Sequence, residues 1–286
     1  MPLLGAHMSI AGGLHKALFR GKRSGCQVIQ IFTISPNRWG PAGLAPDKIH
    51  AFKEARAEMG VEPVASHNSY LINLASPSRE GRERSFQALL DEVDRAERLG
   101  IPQVVMHPGA HLGDGETTGI RRIAESLRRI FDMTPLSRVR ILLETTAGQG
   151  TSLGYRLEHL AEILEMAGVE ERLGVCVDTC HLFAAGYDFR DEKSYQRLIR
   201  HLDATVGLSR CRLFHMNDSK RALGSRVDRH EHIGQGLIGK RPFSFFLKSP
   251  LFRGLPFLLE TPKGRDDSGA DRDLQNLRTL RLLMEK

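Results

Sequence analysis

The chain lacks the features that mark several classes of protein. Only four of its 286 residues are cysteines, and none forms a C-x-x-C pair; they are Cys26, Cys176, Cys180 and Cys211. This usage favours a reduced, intracellular protein over a disulfide-stapled one. The first residues show no basic segment followed by an apolar one, which predicts no signal peptide. No apolar run approaches the roughly 20 residues that span a bilayer, so we expect a cytoplasmic protein with no membrane partner.

Composition excludes a disordered, collagen-like or low-complexity chain, because 41% of the residues are apolar and 26% are charged. The length fits two average domains, but one α/β barrel can also absorb it. Lys and Arg exceed Asp and Glu by 41 to 34, which gives a net charge of +7. This balance mildly indicates a polyanionic partner such as nucleic acid. A basic surface without a partner is an equally good interpretation of charge alone.

Short apolar runs alternate with longer helical patterns along the whole chain. Eight strands are predicted, at 3–7, 27–32, 62–67, 103–107, 139–144, 174–178, 210–216 and 256–260. Helical patterns lie near 12–23, 46–60, 80–100, 117–133, 156–168, 191–206, 242–248 and 270–285. The near-continuous apolar strands suit a parallel sheet that is buried on both faces.

Eight βα units predict a closed (β/α)8 barrel, the TIM-barrel fold. We expect residues 1–286 to form it as a single domain. The active site of such a barrel lies at the C-terminal face of its strands. The alternative is an open doubly wound sheet, but no G-x-G-x-x-G motif follows the first strand. The longest connection, about 217–241, is rich in Lys, Arg, His and Gly and is typical of a functional loop.

Six predicted strands end at, or carry, a side chain that can bind a metal. In chain order these are His67, His107, Glu144, Asp178, His215 and Glu260. Because the C-terminal strand ends of a barrel converge, we expect these side chains to meet in one bowl. His and carboxylates without Cys suit zinc or manganese in a hydrolytic site. Three carboxylates at one mouth would repel one another unless cations compensated their charge.

Two loop segments add further candidates. His181 follows the carboxylate of the sixth strand, and Asp228, His230 and His232 alternate along one face of an extended segment. His7 ends the first strand, where a ligand role and a supporting role are both open. The remaining histidines have no predicted role: those at 15, 50, 159 and 201 are expected on helix surfaces, and the one at 111 in a loop.

Three long segments carry a specific resemblance. They run Asp178-Thr-Cys-His-Leu-Phe-Ala-Ala-Gly-Tyr-Asp188, His215-Met-Asn-Asp-Ser-Lys220 and Asp228-Arg-His-Glu-His-Ile-Gly-Gln-Gly236, with support from 5–13 and 67–74. The pattern resembles the endonuclease IV family, which are zinc-dependent apurinic/apyrimidinic (AP) endonucleases of base excision repair. The similarity extends from about residue 4 to 262. It implies a TIM barrel that holds three zinc ions, with manganese as an alternative at one site.

All nine ligand positions of that family are filled in this chain. The resemblance assigns the first zinc to His67, His107 and Glu144. It assigns the second to Glu144, Asp178, His215 and Glu260, so that Glu144 bridges the two ions. It assigns the third to His181, Asp228 and His230, and it gives His232 no metal.

The implied reaction is hydrolysis of the phosphodiester 5′ to an abasic site in duplex DNA by a metal-bound hydroxide, which leaves a 3′-hydroxyl and a 5′-deoxyribose phosphate. Glu144 and Glu260 are the expected catalytic residues, and Glu260 is expected either to orient the attacking water or to act as its base. Three zinc ions against four carboxylates leave the site cationic by about two units, which suits a phosphodiester. We expect a monomer that uses no nucleotide cofactor.

The predicted DNA contacts are less uniform than the metal ligands. Tyr70 and Leu71 match the family segment that wedges into the duplex. The family usually has Arg at the position of Asn37, so either Arg38 substitutes for it through a loop shift or that contact is lost. Phosphate contacts are predicted for the basic residues of the long loop, which are Lys220, Arg221, Arg226 and Arg229. A solvated charged loop is the alternative.

Two other functions compete with this interpretation. A metal-dependent sugar isomerase or epimerase on the same barrel would share the strand-end ligands, but it would need neither the third ligand set nor a basic balance. A non-catalytic DNA-binding protein with structural zinc would be expected to use a closed, Cys-rich site.

Overall fold

The computed structural model describes residues 1–37, 39, 44–168 and 171–285. Eight parallel strands close into a barrel: β1 (Leu3–Met8), β2 (Val28–Phe32), β3 (Glu62–His67), β4 (Gln103–Met106), β5 (Arg140–Glu144), β6 (Leu173–Asp178), β7 (Cys211–His215) and β10 (Pro256–Leu259). Each strand pairs with the next, and β10 closes the barrel against β1. The predicted barrel is therefore confirmed, with strand ends within one residue of most expectations.

The helices form the outer layer. They are α1 (His15–Arg23), α2 (Pro46–Met59), α3 (Arg79–Leu99), α4 (Glu116–Met133), α5 (Leu157–Ala167), α6 (Thr179–Ala185), α7 (Glu192–Thr205), α8 (Pro242–Lys248) and α9 (Arg272–Glu285), with 3₁₀ turns at Leu208–Arg210 and Pro250–Phe252. Local chemistry explains their ends. The Ser78 hydroxyl accepts from the Gly81 amide at the start of α3, and Gly100 ends that helix with φ 73°.

Two elements were not predicted from the sequence. The helix α6 follows β6 directly, because the Asp178 carboxylate accepts a hydrogen bond from the His181 amide at 2.8 Å and so caps the helix. A two-stranded hairpin pairs β8 (Asp218–Ser219) with β9 (His230–Glu231) inside the long loop. Both elements stand directly above the C-terminal strand ends, so they shape that face.

Apolar side chains fill the barrel interior beneath this face. Seven buried residues form the inner cluster: Val28, Ala65, Val105, Leu142, Cys176, Leu213 and Leu258. A second, larger apolar cluster lies between the strands and the helices. The strands are therefore buried on both faces, as their near-continuous apolar sequences indicated. Among the described residues, no helix is both long enough and apolar enough to cross a membrane.

The prediction for His159 is wrong, because this side chain is buried rather than exposed on α5. Its Nδ1 accepts from the Gly154 amide at 3.3 Å, and its Nε2 lies 3.2 Å from the Glu116 carboxylate. A buried polar group is tolerated when it is hydrogen-bonded. Glu116 is 43 residues away in the chain, so helical periodicity alone could not indicate this partner.

Candidate metal centre

The C-terminal face of the barrel brings together all nine predicted ligand side chains. Four of them end their strands, which are β3, β5, β6 and β7, and His107 and Glu260 each follow a strand by one residue. His181 lies in the first turn of α6, His230 lies on β9, and Asp228 precedes β9 in the loop. The ligand atoms meet in overlapping groups that include His67–His107–Glu144, Glu144–Asp178–His215–Glu260, Asp178–His181–His230 and Cys180–Asp228–His230.

The first group centres on one carboxylate oxygen. The Nε2 atoms of His67 and His107 each lie 3.1 Å from Glu144 Oε2. The Nδ1 of His67 donates to the carbonyl of Asn68 at 2.9 Å. This bond leaves the Nε2 lone pair of His67 facing the carboxylate, which is the arrangement that supporting hydrogen bonds produce around metal-binding histidines.

The second group surrounds the Nδ1 of His215. This atom lies 2.8 Å from Glu144 Oε1, 3.2 Å from Glu260 Oε2 and 3.8 Å from Asp178 Oδ2. Three carboxylates thus converge on one imidazole nitrogen. The side chains of Glu144, Asp178 and His215 are completely buried, whereas Glu260 keeps 17% of its side chain exposed.

The third group lies between α6 and the long loop. Asp228 places its two oxygens 3.1 Å from His181 Nε2 and 3.2 Å from His230 Nε2. The two Nε2 atoms are 3.4 Å apart, and the His230 atom is also 3.7 Å from Asp178 Oδ2. The Nδ1 atoms donate to the carbonyls of Thr145 and Glu260, at 2.8 Å and 3.2 Å.

The close contacts within the three groups are better explained by bound cations than by hydrogen bonds between the side chains. Where Nδ1 donates to a carbonyl, a neutral imidazole presents only a lone pair at Nε2. In the first and third groups these lone pairs face carboxylate oxygens, and in the third they also face each other. A cation between them satisfies every atom at once. Imidazole nitrogen and carboxylate oxygen together are the ligands that zinc accepts, so the residues present fit that ion.

The pKa shifts show the same demand for positive charge. Burial opposes ionisation of the Glu144 carboxyl, but nearby His215 and His107 outweigh it and hold its pKa well below the usual range. Burial also opposes a charged His181, but Asp178 and Asp228 outweigh it and raise its pKa well above the usual value. Acidic groups that stay ionised beside histidines that attract protons indicate a pocket with excess negative charge, which a divalent cation would neutralise.

Two supporting residues were missed in the sequence. Gln30 on β2 donates from Nε2 to Glu260 Oε1 at 2.7 Å, and its Oε1 accepts from His215 Nε2 at 3.0 Å. Asn217 donates to Asp178 Oδ2 at 2.6 Å and accepts from the Glu260 amide at 2.8 Å. The sequence offered one signal for Gln30, which is a polar residue within the apolar strand Val28–Phe32. The structure shows that this side chain is fully buried.

The carboxylate of Asp218 organises the long loop. It accepts hydrogen bonds from the amides of Gly234, Gly236 and Ile238 at 2.9, 3.1 and 2.9 Å. A Cβ atom at Gly236 would lie 2.5 Å from Asp218 Oδ1, so only glycine allows this close approach. The hairpin that carries His230 is therefore held by a buried acid that is not itself placed among the ligand groups.

A second anchor holds the part of the loop that carries Asp228. The guanidinium of Arg226 lies 4.4 Å from the centre of the Tyr155 ring, and its amide donates to the carbonyl of Ala184 at 2.9 Å. The Asp228 amide donates to Gln149 Oε1 at 3.4 Å. Arg226 adopts φ 53°, a left-handed conformation that is uncommon for a non-glycine residue. The loop thus reaches Asp228 through a constrained turn.

The remaining sequence candidates lie around this centre. His7 Nδ1 is 3.0 Å from Gln30 Nε2 and 3.5 Å from Glu260 Oε1, next to the ligand groups rather than within the ones described above. His232 is buried and bonded to Asn276 Nδ2 at 3.0 Å, and no ligand group found among the described residues includes it. A cavity of about 270 Å³ opens beside His107, His181 and Asp228.

The predicted DNA contacts occupy the rim. Tyr70 is 61% exposed, with its ring 5.8 Å from that of His67, and Leu71 beside it is partly buried. Asn37, Lys220 and Arg229 are exposed, and the Arg229 guanidinium donates to the Asp228 carbonyl at 2.6 Å. Arg38 lies outside the described residues, so its substitution for the usual Arg stays a prediction.

Comparison with known proteins identifies the family. Residues 20–281 match the sequence family described as xylose isomerase-like TIM barrels. A protein named probable endonuclease 4 from Geobacter sulfurreducens is 51% identical over 283 residues, which are 99% of this chain and 95% of that protein. The chain belongs to the endonuclease IV family. Membership confirms both the predicted family and the predicted class of hydrolytic endonuclease, and it removes the non-catalytic alternative.

Structural comparison agrees with endonuclease IV membership. The crystal structure of endonuclease IV from Thermus thermophilus matches with a TM-score of 0.84 and 36% identity over 99% of both chains. A D-psicose 3-epimerase from Clostridium cellulolyticum matches with a TM-score of 0.69 and 14% identity, over 99% of this chain and 97% of that one. Identity this low shows a shared fold alone, so the sugar-converting enzymes are relatives in architecture.

Proposed function

We propose that this endonuclease IV family member hydrolyses the phosphodiester 5′ to abasic sites in duplex DNA and leaves a 3′-hydroxyl and a 5′-deoxyribose phosphate. The observation that carries the proposal is the convergence of nine imidazole and carboxyl groups on one face, with acceptor atoms aimed at one another. A site with this excess of negative charge needs several cations before it can approach a phosphate.

Three zinc ions are the cations that the donor set suits best. His67, His107 and Glu144 would hold the first; Glu144, Asp178, His215 and Glu260 the second; and His181, Asp228 and His230 the third. Manganese is an alternative at one site. When bound, the ions would supply positive charge for the developing phosphorane and would lower the pKa of a bound water.

Glu260 is the residue best placed to receive a proton. Burial opposes its ionisation, but the nearby His215 and His7 outweigh it and lower its pKa. The carboxylate is therefore ionised and can accept a hydrogen bond from water, although it is a weaker base than an ordinary glutamate. Gln30 fixes one of its oxygens, and the other faces His215. Glu260 keeps 17% of its side chain exposed, whereas the side chains of Glu144, Asp178 and His215 in the same group are completely buried. A water at this face of the barrel can therefore hydrogen-bond to Glu260. Glu144 would contribute as a buried ligand of the first and second ions.

The rim supplies the DNA contacts in this proposal. Tyr70 and Leu71 stand beside His67, where apolar side chains can unstack and kink a duplex. An abasic nucleotide has no base to unpair, so it leaves the stack at low cost. Lys220 and Arg229 would contact phosphates from the loop that carries Asp228 and His230.

The test pairs metal analysis with a cleavage assay. Purified protein is analysed for zinc and manganese and is then incubated with an end-labelled duplex that contains an abasic site, before and after EDTA. We expect three metal ions per chain, a cut 5′ to the lesion, and loss of cleavage on chelation with recovery on added zinc. Fewer than two bound metals, or cleavage that resists EDTA, would contradict the proposal.

One variant tests the role of Glu260. We expect Glu260→Gln to lower cleavage strongly, because the amide cannot accept the proton. The matched control is Glu62→Gln, which changes a carboxylate at the start of β3, at the opposite end of the barrel. Full cleavage by Glu260→Gln would overturn this role. A parallel assay for epimerisation of D-psicose is expected to show no turnover and separates the sugar-enzyme alternative.

A further inference from the structure

A basic groove of about 490 Å³ lies between the N-terminal half of α3 and the middle of α4. We use this name for the groove lined by five arginines, which are Arg79, Arg82, Arg121, Arg122 and Arg129, together with two glutamates. Its residues lie outside the metal centre and outside the predicted DNA contacts. In a (β/α)8 barrel each helix begins at the C-terminal face of the strands, so Arg79, the first residue of α3, places one end of the groove near the face that carries the metal centre.

The groove is directly connected to the segment that carries Tyr70. Arg82 donates to the carbonyls of Ser76 and Pro77 at 2.7 and 2.9 Å, and Arg122 donates to the carbonyl of Ala75 at 3.4 Å. Residues 75–77 continue the chain from Tyr70 and Leu71 to the start of α3. The upper edge of the basic groove is therefore built on the same loop as the predicted wedge.

Positive charge in the basic groove is only partly cancelled. Arg129 forms two 2.7 Å bonds with Glu83, and Arg122 lies 2.7 Å from Asp114. Arg82 donates to neutral carbonyls and keeps its full charge. The guanidinium groups of Arg79 and Arg121 form no hydrogen bond or ion pair with any side chain that the structure describes. Glu125 is the one further acid in the lining, so a surplus of positive charge faces solvent.

The chemistry of the lining favours phosphate over a protein surface. Phe86 is the one aromatic residue in the lining; it is 2% exposed and is covered by the Arg129 guanidinium at 3.8 Å. Protein–protein interfaces normally have an apolar core, which this groove does not offer. Guanidinium groups bind phosphate oxygens through paired hydrogen bonds, and surfaces that bind DNA are polar and strongly positive.

We propose that the basic groove binds backbone phosphates of the duplex to one side of the lesion and so extends the DNA interface beyond the wedge segment. The inference rests on the proposed function for the presence of DNA, and it adds a contact surface on α3 and α4. It predicts that affinity depends on the length of one flank of the duplex, because a short flank ends before it reaches the groove.

The test removes the two unpaired arginines. The double variant Arg79→Gln/Arg121→Gln is compared with Arg128→Gln/Arg138→Gln, which removes the same charge from exposed positions outside the groove. Equilibrium binding of a long abasic duplex is measured by fluorescence anisotropy over a range of salt concentrations. Each lost phosphate contact lowers the slope of log K against log salt by about 0.9, so we expect a loss of about two in slope and about tenfold or more in affinity.

Two further measurements define the outcome. Single-turnover cleavage at saturating enzyme should equal that of the wild type, because the groove does not touch the reacting atoms. Trimming the duplex from one end should abolish the difference between the groove variant and the control. An unchanged slope and affinity in the groove variant would overturn the inference, and this is also the result expected if the groove serves an acidic protein.

Failure of the proposed function would be seen separately. It would show as wild-type protein that does not cleave the abasic duplex, whatever the salt dependence of binding. Binding to undamaged duplex would then still test the groove. If the double variant does not fold, the single variants Arg79→Gln and Arg121→Gln carry the same comparison, each with an expected slope change of about one.

Discussion

Replacing Gln30 by Met tests whether the metal centre depends on residues that bind no metal. The two side chains have similar length and volume, so the change removes hydrogen bonds while keeping the packing. Gln30 is fully buried and uses all its polar atoms: Nε2 contacts Glu260 Oε1 at 2.7 Å and His7 Nδ1 at 3.0 Å, and Oε1 contacts His215 Nε2 at 3.0 Å. The bond to His215 also places the lone pair of Nδ1 toward the carboxylates.

The magnitude follows from the groups left without partners. Leaving a buried polar group unsatisfied costs about 1–3 kcal/mol, so the loss at Glu260 and His215 should lower the free energy of unfolding by about 2–6 kcal/mol. Removing a bond that orients a metal ligand typically lowers metal affinity or activity by about 10–100-fold. We therefore expect Gln30→Met to bind fewer metal ions at limiting zinc and to cleave abasic duplex about 10–100-fold more slowly.

The assay combines zinc titration, cleavage rate and urea unfolding. The matched control is Gln103→Met, which also removes a buried Gln, but one whose Nε2 donates to the Val64 carbonyl at 3.2 Å at the start of β4. The control should lose some stability and keep its metal and its activity. A folded Gln30→Met protein with wild-type zinc affinity and cleavage would refute the reasoning.

Three further predictions concern the rim and the loop. Tyr70→Ala should change the free energy of unfolding by no more than about 0.5 kcal/mol, because the side chain is 61% exposed. It should weaken binding of abasic duplex by about tenfold, since an aromatic stacking contact is worth about 1–3 kcal/mol. The control is Leu136→Ala, at a 94% exposed position, and equal binding by both variants would contradict the role of Tyr70 as a wedge. Asp218→Asn should speed hydrogen exchange at the amides of Gly234 and Ile238 and lower the free energy of unfolding by about 1–3 kcal/mol. Unchanged exchange would argue against the role of Asp218 in organising the loop. Arg226→Ala removes a contact with the Tyr155 ring worth about 0.5–1 kcal/mol, and this contact anchors the turn that leads to Asp228. The zinc expected at the Asp228 group should therefore dissociate faster from this variant than from the control Arg221→Ala. Equal dissociation rates would show that the turn needs no anchor.

Prediction from sequence succeeded where the signal was local or repeated. The alternation of apolar runs and helical patterns predicted eight strands, and the C-terminal ends of parallel strands must share one face of a closed barrel. His67, Glu144 and Asp178 could therefore be placed together although 111 positions separate the first from the last. Glu260 and His107 lie at the same face, although each is one residue beyond its strand.

Prediction failed where a partner comes from elsewhere in the chain. His159 was expected at the surface, because nothing near it in sequence indicates Glu116 as its partner. Gln30 gave no motif, and its role depends on Glu260 and His215, which are 230 and 185 residues away. The helix α6 was missed because a single capping bond from Asp178 starts it.

The sequence by itself determined the barrel and the list of groups able to bind metal, because periodicity and residue chemistry are local properties that survive without coordinates. Only the tertiary structure decided how these groups face one another, which nitrogen of each imidazole points inward, and which buried amides hold them there. It also decided that arginines from two helices form one groove beside the wedge segment. These properties depend on distances between residues far apart in the chain, and they exist only once the barrel has closed.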